Sequence, residues 1–143
     1  MKALKTPLRY PGGKSRACTK MDQYFPDLRE YAEFREPFLG GGSVAIHVSK
    51  KYPHLKITVN DLYEPLINFW TQLQQFGGEL SELIKDYKSS HPNPDSARCL
   101  FAVMKDNIND TSLDCIERAA AFYIVNKCSF SGLTESSSFS QQA

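Results

Sequence analysis

Three consecutive glycines at positions 40–42 separate a strand-like segment from a helical one, and they constrain the fold more than any other feature. Residues 33–38 predict a short strand before the glycines. Ser43 suits a helix N-cap, and the apolar residues after it predict a helix. Residues 56–60 alternate and are rich in β-branched side chains, which predicts a second strand that ends at Asp61. Such a strand–turn–helix–strand unit is typical of α/β domains.

The segments on either side of this unit have different patterns. Residues 6–14 predict a loop because Pro7 and Pro11 restrict the residues before them and two glycines follow, and a helix is expected from about 14 to 24. After Asp61 the apolar residues recur at helical spacing, which predicts helices over 64–76, 95–108 and 112–127, with a helical face over 80–87 and a break at 91–94. The aromatic residues expected in the core are Phe69, Trp70, Phe101 and Phe122.

Only two strands are predicted, although a parallel sheet needs more strands to bury both of its faces. We therefore expect the 143 residues to hold an incomplete fold. The expected organisation is an N-terminal part of a cofactor-binding domain over 1–61, a mostly helical segment over 62–133, and a Ser-rich disordered tail over 134–143.

Composition narrows the class of protein. The chain is 41% hydrophobic and 23% charged, which is ordinary for a globular domain, and no apolar run reaches the ~18 residues of a membrane helix. No signal-peptide pattern precedes the four cysteines, so we expect thiols in a reducing, cytoplasmic setting. His47, His54 and His91 lack a second ligand at metal-binding spacing, so no metal site is expected.

The glycine turn and Asp61 together indicate a cofactor that contains adenosine. Glycines at a strand end let a ligand approach backbone N–H groups. Residues 40–45 do not form the G-x-G-x-x-G fingerprint, but Asp61 lies 21 positions after Gly40, close to the spacing at which a carboxylate binds ribose hydroxyls. A cap for the helix near Glu64 is the alternative role of Asp61. A nicotinamide-dependent oxidoreductase is an alternative function, but it accounts neither for the Tyr-Pro-Gly-Gly-Lys loop at 10–14 nor for Glu36-Pro37-Phe38.

Three segments lie in a specific order: Arg9-Tyr-Pro-Gly-Gly-Lys14, Glu36-Pro-Phe-Leu-Gly-Gly-Gly-Ser43 and Asn60-Asp61-Leu62. This order resembles the adenine-specific DNA methyltransferases of the DNA adenine methylase family. Residues 122–133 also resemble the helix and turn that lead into the target-recognition region of that family. The resemblance extends from about residue 7 to residue 133.

The resemblance implies a Rossmann-like methyltransferase fold with S-adenosyl-L-methionine as cofactor and double-stranded DNA as substrate. It implies that Lys14 pairs with the cofactor carboxylate, Tyr10 packs against the sulfonium and Glu36 lies near the ammonium. A solvated lysine and a loop-packing aromatic are the alternatives for Lys14 and Tyr10. The implied cofactor-binding residues are Tyr10, Lys14, Glu36, Phe38, Gly40, Gly42 and Asp61.

The basic residues at the start of the chain offer a possible DNA contact. Six of them precede the first carboxylate, Asp22: Lys2, Lys5, Arg9, Lys14, Arg16 and Lys20. Basic residues neutralise phosphates, although a solvated surface is the alternative. With the resemblance, Arg9 becomes the expected DNA contact.

No catalytic residue is assigned, because the family's Asp-Pro-Pro-Tyr tetrad does not occur in residues 1–143. In that family the tetrad binds and stacks on the flipped adenine. We therefore expect weak cofactor binding and no methyl transfer by these residues alone. Alternatives are a separate C-terminal half that supplies the tetrad and a non-catalytic DNA-binding or regulatory remnant. The DNA site and any restriction–modification partner are not predicted.

Overall fold

A computed structural model describes residues 4–142, and the chain divides into two compact units with the boundary between Leu62 and Tyr63. The N-terminal unit has the order α1 (Cys18–Met21), β1 (Glu33–Glu36), α2 (Ser43–Lys51) and β2 (Lys56–Val59), with a 3-10 helix over Asp22–Tyr24. The helical unit contains α3 (Glu64–Ser90), α4 (Pro94–Asn107), α5 (Cys115–Cys128) and a 3-10 turn over Phe130–Gly132.

The two strands form a parallel pair, as expected when a helix connects them. Glu33 pairs with Lys56, and Glu36 pairs with Val59. Backbone hydrogen bonds continue the pairing beyond the strands: the Asn60 N–H donates to the Glu36 carbonyl at 2.8 Å, and the Leu39 N–H donates to the Asn60 carbonyl at 2.9 Å. The carboxyl ends of β1 and β2 are therefore held side by side.

The two faces of the sheet differ in polarity. Phe34 and Ile57 are paired in register and pack against an apolar core formed by Cys18, Leu28, Val44, Val48 and Leu55. On the opposite face the Glu33 carboxylate accepts hydrogen bonds from Arg35 and Thr58, which hold its pKa at about 2. Parallel sheets are usually apolar on both faces, whereas here only the face toward α2 is apolar.

Three local predictions for this unit need correction. The helix expected over 14–24 is limited to α1 and the 3-10 helix, since the chain first turns around the Lys14 carbonyl, which accepts the N–H groups of Ala17 and Cys18. The strand expected over 33–38 ends at Glu36, since the next pairing bond to the Asn60 carbonyl comes from Leu39 instead of from Phe38. The N-cap of α2 is Gly42 rather than Ser43.

The helices after Asp61 are confirmed, with revised bounds. The segments expected over 64–76 and 80–87 form one helix, α3, which is interrupted by non-helical dihedral angles at Phe76. The predicted break before α4 is confirmed, and Asn93 caps that helix by accepting the Ser96 N–H at 2.9 Å. A Ser96 hydroxyl that contacts the Asn93 N–H completes a capping box.

Aromatic packing between α3 and α5 forms the centre of the helical unit. Phe69 and Phe122 are each 1% exposed, and their ring centroids lie 5.6 Å apart. The predicted burial of Phe101 is also confirmed. Trp70 is only partly buried, which corrects the prediction that it belongs to the core. Because it follows Phe69 directly, its ring projects to a different side of α3.

Polar contacts also fix these helices. The Arg118 guanidinium is largely buried, donates to the Ile108 carbonyl at 3.0 Å and forms an ion pair with Glu64. The Asn68 amide donates to the Cys115 carbonyl at 2.8 Å. These bonds join α5 to the start of α3 and to the end of α4.

The Ser-rich segment differs from the disordered tail expected over 134–143. Within the described part of it, Ser129 forms an isolated antiparallel bridge with Phe139, and the Ser140 N–H donates to the Cys128 carbonyl at 2.9 Å. The Phe139 ring packs against Phe101 with centroids 5.7 Å apart. One aromatic residue and local backbone bonds therefore order a segment that has no hydrophobic period.

Membrane-spanning helices, metal-binding clusters and disulfides are absent from residues 4–142. No helix over residues 4–142 is long and apolar enough to cross a membrane. The same residues contain no group of three or more His, Cys, Asp or Glu side chains placed to hold a metal ion. All four cysteines, which lie in the described part, are free thiols.

The core packing gives a direct stability prediction. Phe122→Ala is expected to lower the free energy of unfolding of the helical unit by about 3–5 kcal/mol, because a large buried ring leaves a cavity. Phe130→Ala is the matched control, since the Phe130 side chain is 65% exposed, and its effect should stay within about 0.5 kcal/mol. Urea unfolding followed by far-ultraviolet circular dichroism measures both changes. Equal losses in the two variants would contradict the packing of Phe122.

Candidate functional site

One cavity of about 320 Å³ lies at the carboxyl ends of β1 and β2. Its lining comes from the three segments that carry the motifs of the sequence: residues 10–14, Glu36, residues 38–41, Ser43, Val44 and Asp61. The pairing of the strands brings Glu36 and Asp61 to the same edge of the sheet, where ligands bind in α/β folds. Six of the seven predicted cofactor-binding residues line this cavity, and Gly42 does not.

The glycine turn has backbone dihedral angles that favour glycine. Gly40 has φ +52° and Gly42 has φ +73°, both in the left-handed region. The Gly42 N–H donates to the Leu39 carbonyl at 2.9 Å, and Gly42 is the N-cap of α2. Gly42 therefore shapes the turn and begins the helix, although it lies outside the lining of the cavity.

The Tyr10 side chain packs directly on this turn. A Cβ at Gly41 would lie 2.8 Å from the Tyr10 Cβ, and one at Gly40 would lie 3.1 Å from the Tyr10 ring. The Gly13 N–H donates to the Tyr10 carbonyl at 2.9 Å, which closes the loop. Tyr10 therefore combines loop packing with a place in the cavity wall, where 38% of it is exposed.

A hydrogen bond joins Asp61 to the glycine turn. The Gly40 N–H donates to Oδ2 of Asp61 at 2.9 Å. Asp61 is not the N-cap residue of α3, because that residue is Tyr63. This bond orients the Asp61 carboxylate at the cavity.

Glu36 carries the most unusual electrostatics of the site. Burial raises the pKa of its carboxyl group, although the Ala45 N–H and the charge of Lys14 act to lower it. Its Oε2 atom is buried and has no hydrogen-bond partner among the described residues. A buried, unpaired carboxylate oxygen costs free energy, so its place beside a cavity suits a cationic donor from a ligand.

The remaining predicted residues have exposed or partly exposed side chains. Phe38 is 82% exposed and offers an aromatic face at the cavity. Lys14 is exposed on the opposite loop. Arg9 precedes that loop, is partly buried and does not contribute to the lining.

The contacts of Ser15, Cys18 and Ser43 have no signature in the sequence. The Ser15 and Ser43 hydroxyls lie 2.7 Å apart, although 28 positions separate the two residues. The Cys18 thiol lies near the carbonyls of Lys14 and Ser43. No periodicity links these residues, so only the structure could have found them.

A glycine turn between a strand and a helix, with a carboxylate at the end of the next strand, is typical of α/β proteins that bind nucleotide-like ligands. A family model described as D12 class N6 adenine-specific DNA methyltransferase matches residues 10–143. The chain therefore belongs to the D12 class of N6 adenine-specific DNA methyltransferases. Its small parallel sheet and its helices are compatible with an incomplete methyltransferase domain.

Several curated proteins are similar to the chain. The type II methyltransferase M.MjaIII of Methanocaldococcus jannaschii is 27% identical over 135 residues, which cover 88% of this chain and 46% of that protein. The DNA N-6-adenine-methyltransferase of Escherichia phage P1 is 27% identical over 88% of this chain and 15% of its own length. The DNA adenine methylase of Vibrio cholerae is 26% identical over 93% of this chain and 44% of its own length. The chain thus spans less than half the length of these relatives.

The packing of Tyr10 on the turn predicts that a side chain at position 41 is not tolerated. Gly41→Ala is expected to lower the free energy of unfolding by about 1–3 kcal/mol, since the new methyl group would overlap the Tyr10 Cβ. Gly78→Ala is the control: its Cβ would meet nothing within 4 Å, and alanine should stabilise α3 by about 0.5–1 kcal/mol. Differential scanning calorimetry measures both. A Gly41 variant as stable as the native chain would contradict the contact.

Proposed function

We propose that the chain carries the cofactor-binding part of a site-specific DNA methyltransferase that transfers a methyl group from S-adenosyl-L-methionine to N6 of adenine. The proposed fold is Rossmann-like, with the N-terminal unit as the start of the cofactor domain. The observation that carries the proposal is the cavity at the strand ends, in which three family segments meet around the half-buried Glu36 side chain and its buried Oε2 atom. When bound, S-adenosylmethionine supplies the methyl group.

The methionine end of the cofactor is assigned to Glu36, Lys14 and Tyr10. The unpaired Oε2 of Glu36 would accept a hydrogen bond from the ammonium. Lys14, on the facing loop, would pair with the carboxylate, and the Tyr10 ring would contact the sulfonium. An acidic and a basic side chain at one cavity fit the ammonium and the carboxylate of an amino acid.

The adenosine end is assigned to Asp61, Phe38 and the glycine turn. A carboxylate can accept hydrogen bonds from ribose hydroxyls. The hydrogen bond from the Gly40 N–H holds the Asp61 carboxylate at the cavity. The exposed Phe38 ring would cover an apolar part of the ligand. Gly40 and Gly42 would act through the backbone of the turn.

The chemical step is assigned to residues outside positions 1–143. The N6 amine of adenine is a poor nucleophile because its lone pair is delocalised into the ring, and the family activates it with an Asp-Pro-Pro-Tyr tetrad. Further polypeptide or a separate C-terminal half would supply that tetrad. The helical segment over 62–133 would lead into the region that recognises the DNA target.

A non-catalytic DNA-binding or regulatory remnant of such an enzyme is the alternative to this proposal. Calorimetric titration of the chain with S-adenosylhomocysteine, with NAD as the comparison ligand, separates the candidates. Saturable binding of S-adenosylhomocysteine in preference to NAD supports the proposal. DNA binding that is insensitive to either ligand would favour the remnant, and preference for NAD would contradict both.

Glu36→Gln tests the assignment of the ammonium. The amide keeps the size of the side chain but removes its charge, so affinity for S-adenosylhomocysteine should fall roughly 10- to 100-fold. Glu33→Gln is the control, because the Glu33 carboxylate faces Arg35 and Thr58 and lies outside the cavity. Titration calorimetry should show native affinity for the Glu33 variant. Equal affinity of the Glu36 variant and the native chain would contradict the role of Glu36.

The raised pKa of Glu36 also fixes the sign of two pH effects. Because the folded chain favours the neutral carboxyl, ionisation of Glu36 lowers stability as the pH rises through its folded pKa. Glu36→Gln should therefore match the native chain in acid and equal or exceed its thermal stability at neutral pH. Ligand affinity should change in the opposite direction and weaken as the pH falls, because the ammonium needs the carboxylate.

Arg9→Gln tests the proposed DNA contact. Loss of one phosphate contact should reduce the slope of log affinity against log salt by about 1, with little dependence on DNA sequence. Arg29→Gln is a control of equal charge change, since Arg29 pairs with Asp27. Fluorescence anisotropy with a labelled duplex at several salt concentrations measures both. A native slope for the Arg9 variant would exclude Arg9 from the DNA interface.

A further inference from the structure

Two side chains that lie just after the Tyr10–Lys14 loop connect it to the N-terminus of α2. The Ser15 hydroxyl lies 2.7 Å from the Ser43 hydroxyl, and Ser43 is the first residue of α2 and part of the cavity wall. Either hydroxyl can donate in this pair. The bond joins the residue that follows the Tyr10–Lys14 loop to the first residue of α2.

Cys18 forms a second connection between the same two segments. Its thiol lies 3.2 Å from the Lys14 carbonyl and 3.6 Å from the Ser43 carbonyl, so it can donate to either. The side chain is 5% exposed and packs with Val44 and Val48 of α2. The thiol is therefore held by the core of the N-terminal unit while it contacts the loop.

The Lys14 carbonyl, at the end of the loop, accepts several hydrogen bonds. It accepts the backbone N–H groups of Ala17 at 2.8 Å and Cys18 at 3.0 Å, in addition to the thiol. The loop before it contains Gly12 and Gly13, which are permissive in backbone conformation. Tyr10 packs on the glycine turn at one end of this loop, and the contacts after Lys14 hold its other end. A loop held at both ends loses less conformational freedom on ligand binding, which favours affinity.

We propose that Ser15 and Cys18 are positioning residues that hold the Tyr10–Lys14 loop at a fixed distance from α2, and thereby preorganise the two walls of the cavity. Neither side chain touches the ligand; each acts through Lys14 or Ser43. The inference rests on the proposed cofactor site for its purpose, whereas the anchoring of the loop can be measured without a ligand.

Hydrogen exchange of the unliganded chain, measured by mass spectrometry on a peptide that covers residues 9–17, tests the anchoring. Ser15→Ala and Cys18→Ala should each raise the exchange rate of this peptide roughly three- to tenfold, the effect expected for one lost hydrogen bond. Ser49→Ala is the control, because that hydroxyl bonds to the Ile46 carbonyl within α2. In Ser49→Ala the peptide over residues 9–17 should exchange at the native rate.

The conservative variants separate hydrogen bonding from packing. Serine and alanine are of similar size, so Cys18→Ser restores a donor without restoring the volume of the thiol. Slow exchange in Cys18→Ser and Ser15→Thr, with fast exchange in both alanine variants, supports positioning. Native exchange in the alanine variants, or equally fast exchange in Cys18→Ala and Cys18→Ser, would overturn it.

Titration with S-adenosylhomocysteine completes the test. Ser15→Ala and Cys18→Ala should bind S-adenosylhomocysteine roughly three- to tenfold more weakly than the native chain, and Cys18→Ser should recover most of that loss. If the native chain binds no S-adenosylhomocysteine, the proposed cofactor site fails, and the exchange data still decide whether Ser15 and Cys18 anchor the loop. If the native chain binds and the two alanine variants bind equally well, the positioning role is overturned while the site stands.

Discussion

The hydrogen bond from the Gly40 N–H to the Asp61 carboxylate is the contact on which the proposed site depends. It joins the turn after β1 to the end of β2, so that the two carboxyl ends form one wall. The left-handed angles of Gly40 and Gly42 make this approach possible, and the missing side chain of Gly41 leaves room for Tyr10. Tyr10, the glycine turn and Asp61, which are distant in sequence, thus meet at a single cavity.

Glu36 shows how the proposed site sets binding against stability. A carboxylate at the N-terminus of a helix is normally favourable, and the Ala45 N–H provides that benefit here. Burial of the second oxygen without a partner acts in the opposite direction and raises the pKa. Such an arrangement is most easily explained by a ligand that completes the hydrogen bonds, since natural proteins keep poorly satisfied groups mainly where function requires them.

Helices and strands were predictable from the sequence more accurately than the residues at which they begin and end, for physical reasons. The helices of the second unit were predictable from the spacing of apolar residues. The first strand was predictable from the glycines that follow it, and the second from its β-branched residues, because these patterns are local. The short α1, the early end of β1 and the cap at Gly42 depend on individual hydrogen bonds that have no pattern. The gathering of Tyr10, Glu36 and Asp61 was predictable from the family resemblance, whereas the Ser15–Ser43 and Cys18 contacts depend on tertiary packing. Order around Phe139 was missed because a single aromatic residue produces no period.

The division of the chain after Leu62 has a consequence for biosynthesis. All residues that line the cavity lie before that boundary, and the bond between Gly40 and Asp61 needs nothing that follows it. Translation proceeds at about 5–20 residues per second, so the helical unit takes several seconds to be made, whereas small domains fold in microseconds to seconds. The whole cavity wall is therefore translated several seconds before the helical unit is complete.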